Sequence, residues 1–170
     1  MGRIRRIYYQ NAAYHVVVRG NNRQMILKAK EEKEAFLDSV EKYRERFKFK
    51  LYGLVVMDNH VHMLIETNKN NTISRIMQAI LLSFSVKYRR KHGYVGHVWQ
   101  GRFESRVIEG EGYILQCLEY IHANPVKAKI VDSPEHYPWS SYIIYEGKET
   151  ELIGDRVVVK RYGDSSSKTF

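Results

Sequence analysis

Apolar and polar positions change their period several times along this chain, and each change marks an element. Residues 12–20, "AAYHVVVRG", are apolar and β-branched up to Gly20, which predicts a first strand followed by the loop "NNRQ" with Arg23. From Lys30 to Phe47, apolar residues at Ala35, Phe36, Val40, Tyr43 and Phe47 recur at helical spacing among dense charges, the pattern of an amphipathic helix. "KLYGLVVM" (50–57) and "HVHMLIET" (60–67) read as extended runs joined at Asp58-Asn59, a hairpin signal. A second helix is expected from Thr72, its N-cap, to about His92, with Ile76, Ala79, Ile80 and Phe84 inward. Its last turns carry Lys87, Arg89, Arg90 and Lys91, which suit a helix C-terminus. "GYVGHVWQGRFESRVI" (93–108) predicts a glycine-punctuated loop and then a strand. A third helix is expected over 110–124, stopped by Pro125 because the residue before proline disfavours the α region.

Beyond Pro125, "NPVKAKIV" and "YPWSSYIIYEG" suggest short helices and turns, and residues 164–170 a flexible tail. The order β, α, β, β, α, β, α defines an α+β class. It predicts a ferredoxin-like antiparallel sheet (βαββαβ) with an additional C-terminal helix, the helices lying on one face. At 170 residues the chain is read as one domain, 1–170.

Alternation along the second hairpin strand places His60, His62, Leu64 and Glu66 on one face and Val61, Met63, Ile65 and Thr67 on the other. The second set is apolar enough to face a core. Two imidazoles whose Cα atoms are about 6.6 Å apart at strand rise would then share the opposite face, where both can reach one metal ion. The plainer reading, a partly exposed polar face, stands beside it, and a third partner is needed to choose. In the third helix Tyr120 and Asn124 are four residues apart and present a phenol and an amide together. If that face crosses the histidine strand, Asn124 completes a metal site with His60 and His62, and Tyr120 stands beside it as a nucleophile. His15, His92, His97, His122 and His136 read as structural or surface histidines, with His122 on the wrong side of the helix to join Tyr120.

Charge sharpens this picture. Lys and Arg number 28 against 19 Asp and Glu, a formal net charge of +9 that favours a polyanionic partner. Lys87, Arg89, Arg90, Lys91, Arg102 and Arg106 are candidates to hold phosphates, Trp99, Phe103 or Tyr94 to stack on unpaired bases. Arg19 and Arg23, flanking "GNN", form a second candidate phosphate contact. The one cysteine, Cys117, has no partner for an internal disulfide and reads as a packed thiol. With no apolar signal region and no run of membrane-spanning length, a cytoplasmic location without a membrane partner is expected.

Five segments carry a resemblance: "YHVVVRGNNRQ" (14–24), "MDNHVHMLIE" (57–66), "GHVWQGRFESRVI" (96–108), "CLEYIHANPVKAKIV" (117–131) and "YPWSSY" (137–142). In type and order they resemble the HUH-type single-tyrosine transposases, specifically the REP-associated tyrosine transposase group. The resemblance implies that His60 and His62 bind a divalent metal ion, Mg or Mn, with Asn124 as third ligand, where related insertion-sequence transposases often have Gln. It implies that Tyr120 attacks single-stranded or hairpin DNA to leave a 5′-phosphotyrosine and a free 3′-hydroxyl. Asp58 replaces the proline usual in the turn before the first histidine and reads as a turn residue. Some relatives are dimers whose tyrosine helix completes the partner's site, while the REP-associated ones resemble monomers, so both states are open.

Transesterification stores the broken phosphodiester as a phosphotyrosine ester and needs no nucleotide cofactor, in keeping with a sequence that has no G-x-x-x-x-G-K-[ST] loop. A two-histidine phosphoesterase needs His-x-Ser/Thr strands, which are absent. Rolling-circle initiators and relaxases share the His-hydrophobic-His strand but not "VWQGRF" or "YIHANPVKA". The competing non-enzymatic reading is a structure-specific DNA-binding protein on the same fold.

Overall fold

The expected strands pair into one antiparallel sheet in the order β2-β3-β1-β4, formed by β1 (Ala13–Arg19), β2 (Lys50–Val56), β3 (His60–Glu66) and β4 (Glu104–Ile108). This computed structural model describes residues 8–148 and 159–162, and the tail expected over 164–170 lies outside the described residues. Helix α1 (Lys30–Phe47) joins β1 to β2, and α2 (Ile73–His92) joins β3 to β4, as a βαββαβ core requires. Thr72 accepts a hydrogen bond from the Arg75 backbone N–H and caps α2 as its sequence suggests. Among the described residues no helix is long and apolar enough to cross a membrane.

Helices occupy both faces of the sheet, which corrects the one-faced arrangement. On one face Val61, Met63 and Ile65 of β3 pack with Phe36, Leu37 and Val40 of α1 and Ile76, Ile80 and Phe84 of α2. On the other, helix α3 (Glu111–Lys127) lays Ile114, Cys117, Leu118 and Ile121 against Leu64, Val55 and Tyr52. On the histidine face of β3, Leu64 interrupts the polar run between His62 and Glu66 and gives α3 an apolar seat. A bulge at Tyr52 sets Gly53 opposite Leu64, and a Cβ on Gly53 would lie 2.5 Å from Leu118 Cδ2. The missing side chain lets α3 come close to the sheet.

Helix α3 also runs through Pro125 to Lys127 instead of stopping at Asn124. Proline has no N–H for the Ile121 carbonyl four residues back. The Asn124 side-chain amide supplies that donor, bonding the Tyr120 carbonyl at 2.8 Å and the Ile121 carbonyl at 3.2 Å. The "YPWSSY" segment covers the outer edge of β2: Val56 N–H donates to the Trp139 carbonyl and Ser141 N–H to the Leu54 carbonyl. Tyr137 adds a hydroxyl bond of 2.8 Å to the Val56 carbonyl. The single turn α4 (Tyr142–Tyr145) follows.

His122 locks α3 to this edge. It is buried, its Nε2 lies 2.8 Å from Ser141 Oγ, and that oxygen accepts the Leu54 N–H. Burial lowers its pKa from 6.5 to about 4. Its contribution is present above pH 6.5 and is lost as the pH falls toward the folded value, because the unfolded chain takes up the proton first. Between pH 7 and pH 4 this one group should remove about 3 kcal/mol of stability. In His122→Gln, urea unfolding should show a flatter pH dependence by that amount. Parallel profiles for the two proteins would refute the assignment.

Candidate active site

Four elements converge on the α3 side of the sheet. In the β1–β3 register Arg19 lies opposite His60, Val17 opposite His62 and His15 opposite Leu64. In the β1–β4 register Arg106 lies opposite His15 and Glu104 opposite Val17. Alternation therefore sends His15, Arg19, His60, His62, Glu104 and Arg106 to one face, toward the helix that carries Tyr120. Together with Tyr113, Gln116 and Cys117 of α3, most of them line a cavity of about 1000 Å³.

The imidazoles are held individually. His60 Nδ1 sits 2.6 Å from Asn59 Oδ1, a bond in which the amide oxygen accepts and the imidazole donates. His62 is buried at 5 % exposure, and its Nδ1 lies 3.1 Å from His15 Nε2. The His15 and His62 rings are nearly coplanar, at 17° and 5.3 Å between centroids, which is the in-plane geometry of an N–H···N bond. The ring of Tyr120 stands edge-on to both, 5.6 Å from His15 and 5.9 Å from His62. Tyr120 is 45 % exposed, and Lys127 Nζ lies 4.2 Å over its ring.

These surroundings keep the histidines neutral. Burial, followed by the charges of His60, His15, Arg19 and Lys127, takes His62 down to about 3. Burial and then Arg19 lower His60. Burial and then Arg106 lower His15, with Glu104 opposing. At neutral pH each ring keeps one unprotonated nitrogen.

The turn before His60 is pinned from below. Asp58 bonds Lys33 Nζ at 2.6 Å, and Lys33 is buried while also donating to the Leu27 carbonyl at 2.6 Å. Gly20 N–H donates to the Asn59 carbonyl, and a Cβ on Gly20 would lie 2.4 Å from the Gln24 carbonyl oxygen. The "GNNRQ" loop thus folds tightly beside the histidine turn, leaving Arg23 exposed on it. Asp58 is the turn residue expected.

The expected DNA-contacting residues divide into two groups. Arg19 and Arg106 stand at the tyrosine cavity. Arg89, Trp99, Arg102 and Phe103 line a second cavity of about 550 Å³ beside α2, in the layer on the other side of the sheet. Lys87 and Arg90 are exposed on the last turns of α2. Lys91 is engaged by Glu32 at 2.7 Å, which His92 shares at 2.9 Å. Trp99 and Phe103 do not stand free as stacking platforms: both are buried, and the indole N–H donates to the Leu81 carbonyl while its ring packs on Phe36 and Phe84. Gly20 and Trp99 form an isolated bridge, so the "VWQGRF" motif extends the sheet beyond β4 and anchors it in the core.

His15 is the residue that sequence reasoning missed at this site. Its parity with Arg19 on β1 was legible, but the register that sets β1 beside β3 was not.

A family model described as transposase IS200-like matches residues 8–124, from just before β1 to Asn124. The chain belongs to that family. It is 27% identical over 109 residues to a Haemophilus influenzae protein described as a REP-associated tyrosine transposase. That alignment covers 58% of this chain and 61% of the relative's length. A solved structure of a REP-associated tyrosine transposase bound to a REP hairpin superposes with a TM-score of 0.72 at 20% identity, covering 100% of this chain and 99% of the other. A crystal structure of a Deinococcus radiodurans protein described as a transposase gives 0.50 at 18% identity, over 71% of this chain and 94% of that one. Both structural likenesses bear on the fold.

Lys33→Met should keep the packing of the aliphatic stem while leaving the Leu27 carbonyl without its donor and Asp58 without its cation. The expected loss is about 2 kcal/mol in urea unfolding. A change below about 0.5 kcal/mol would show that the histidine turn does not depend on this cation.

Proposed function

We propose that this protein is a REP-associated tyrosine transposase that cleaves and rejoins single-stranded DNA carrying hairpin elements, with Tyr120 as nucleophile. The observation that carries this reading is the half-exposed Tyr120 phenol edge-on to His15 and His62, with Lys127 over its ring and Arg19 and Arg106 at the same cavity. Family membership and the superposition on a REP-hairpin-bound relative support it.

The residues present suit a divalent cation. Among the described residues no group of three or more His, Cys, Asp or Glu side chains could hold a metal ion, and the donor set in this proposal is His60, His62 and the Asn124 amide. His60 and His62 each have Nδ1 engaged, leaving Nε2, and Asn124 has its amide nitrogen engaged, leaving Oδ1. Three lone pairs of this mixed kind fit Mg²⁺ or Mn²⁺ with positions open for phosphate and water. A bound ion would polarise the scissile phosphate as a Lewis acid.

The chain's own residues do the rest. Tyr120 Oη attacks phosphorus and loses its proton as the new P–O bond forms. The P–O3′ bond breaks, and the departing oxygen takes up a proton as a free 3′-hydroxyl. The 5′ end remains esterified to Tyr120, and attack by another 3′-hydroxyl rejoins the strand and restores the phenol. Arg19 and Arg106 hold flanking phosphates, while Lys127 offsets negative charge near the phenol. Arg89 and Arg102, with Lys87, Arg90 and Arg23, bind DNA remote from the cut.

Labelled single-stranded DNA containing hairpins from beside its own gene, incubated with Mn²⁺ and run on a denaturing gel, should give a covalent band. Tyr120→Phe should abolish the band and keep DNA affinity within a factor of about three. Chelator or His60→Ala should remove the band without unfolding the domain. Binding with no covalent product, across several hairpins and both metals, would favour the non-catalytic DNA-binding reading.

A further inference from the structure

Each of the two β3 imidazoles has a partner at Nδ1, and the two partners come from different elements. Asn59, in the hairpin turn, takes the Nδ1–H of His60 at 2.6 Å. Across the sheet, His15 of β1 places Nε2 3.1 Å from Nδ1 of His62, in the plane of both rings. A neutral imidazole carries its proton on one nitrogen only, so whatever accepts at Nδ1 frees Nε2 as a lone pair. The opposite donor direction, from His15 into His62, would put the proton on His62 Nε2 and remove that lone pair.

We propose that His15 is a positioning residue: it accepts the Nδ1–H of His62 and, with Asn59 at His60, fixes both histidines in the tautomer whose Nε2 can bind a divalent metal. This rests on the metal-assisted reading above. His15 itself is not a ligand in this scheme; it acts through His62. Hydrogen bonds of this kind from the far nitrogen of a ligating histidine orient the ring and raise its basicity, and their loss lowers metal affinity about 10–100-fold. The remainder of His15's surroundings fits a fixed ring: it is T-shaped to the Tyr120 ring at 5.6 Å, and Arg106 and Leu64 are its neighbours in register on β4 and β3.

The test has a readout that does not depend on turnover. Imidazole ¹⁵N spectra of the metal-free wild type at neutral pH should show His62 protonated at Nδ1, and His15→Phe, which keeps a flat ring without an acceptor, should redistribute that proton toward Nε2. Mn²⁺ titration followed by electron paramagnetic resonance should give weaker binding in His15→Phe by about 10–100-fold. His15→Gln, whose amide oxygen falls near the position of Nε2, should restore most of it. A His62 proton found on Nε2 in the wild type overturns the proposal, as does Mn²⁺ affinity in a folded His15→Phe within about twofold of the wild type. If His15→Phe does not fold, the wild-type tautomer and the His15→Gln affinity decide. Wild-type protein that binds no Mn²⁺ overturns both this inference and the metal-assisted reading. Wild-type binding lost in His62→Ala but unchanged in His15→Phe overturns this inference alone.

Discussion

Pairing of β1 with β3 sets Val17 opposite His62 and Arg19 opposite His60, and a slip of one residue would exchange the two faces of β3. Val61, Met63 and Ile65 would then leave the α1/α2 core, each forfeiting about 1.5–3 kcal/mol of burial. The histidines would enter that core without partners, at further cost. The register that assembles the polar site is thus enforced by the apolar face behind it. One alternating strand serves a core on one side and the polar site on the other.

The second constraint is the division of α3 along its length. Ile114, Cys117, Leu118 and Ile121 seat the helix on Leu64 and Val55, while Tyr113, Gln116 and Tyr120 face the cavity. Seating therefore fixes how far Tyr120 stands from the imidazoles, and the absence of a side chain on Gly53 lets Leu118 settle. Asn124 links this packing to the proposed chemistry. Its amide nitrogen replaces the helix donor that Pro125 lacks, which holds the side chain in one orientation and leaves Oδ1 available. A longer amide at this position would not meet the Ile121 carbonyl in the same way, so Asn before Pro is a matched pair.

Much of the fold was legible because its signals are local: the α1 periodicity, the Thr72 cap, the Asp58-Asn59 turn and the alternation of β3 all lie within a few residues of one another. The shared face of His60 and His62 was legible because both lie on one strand. His15 was not, because its partner is 47 residues away and only the β1–β3 register joins them. Pro125 misled for a related reason. The rule against helix before proline is a backbone preference, and a side chain one position earlier compensates it. The basic tract divided once tertiary partners were known, with Lys91 held by Glu32 and Trp99 by the core. Which aromatic is a platform and which is packing depends on burial, and composition does not encode it.

Electrostatics joins these parts. Arg19, Arg106 and Lys127 are drawn from three elements, and each adds to burial in keeping this cluster unprotonated: Arg19 acts on His60 and His62, Arg106 on His15 and Lys127 on His62. A carboxylate in their place would pull the other way, as Glu104 does on His15. On the proposed reading, the cations that would attract a phosphate backbone also help keep nitrogen lone pairs available. A divalent ion held, on that reading, by two neutral imidazoles and an amide has none of its charge offset by its ligands. An anionic phosphate is then the natural occupant of its open positions, so the absence of carboxylates from the donor set itself favours the DNA backbone as the remaining ligand.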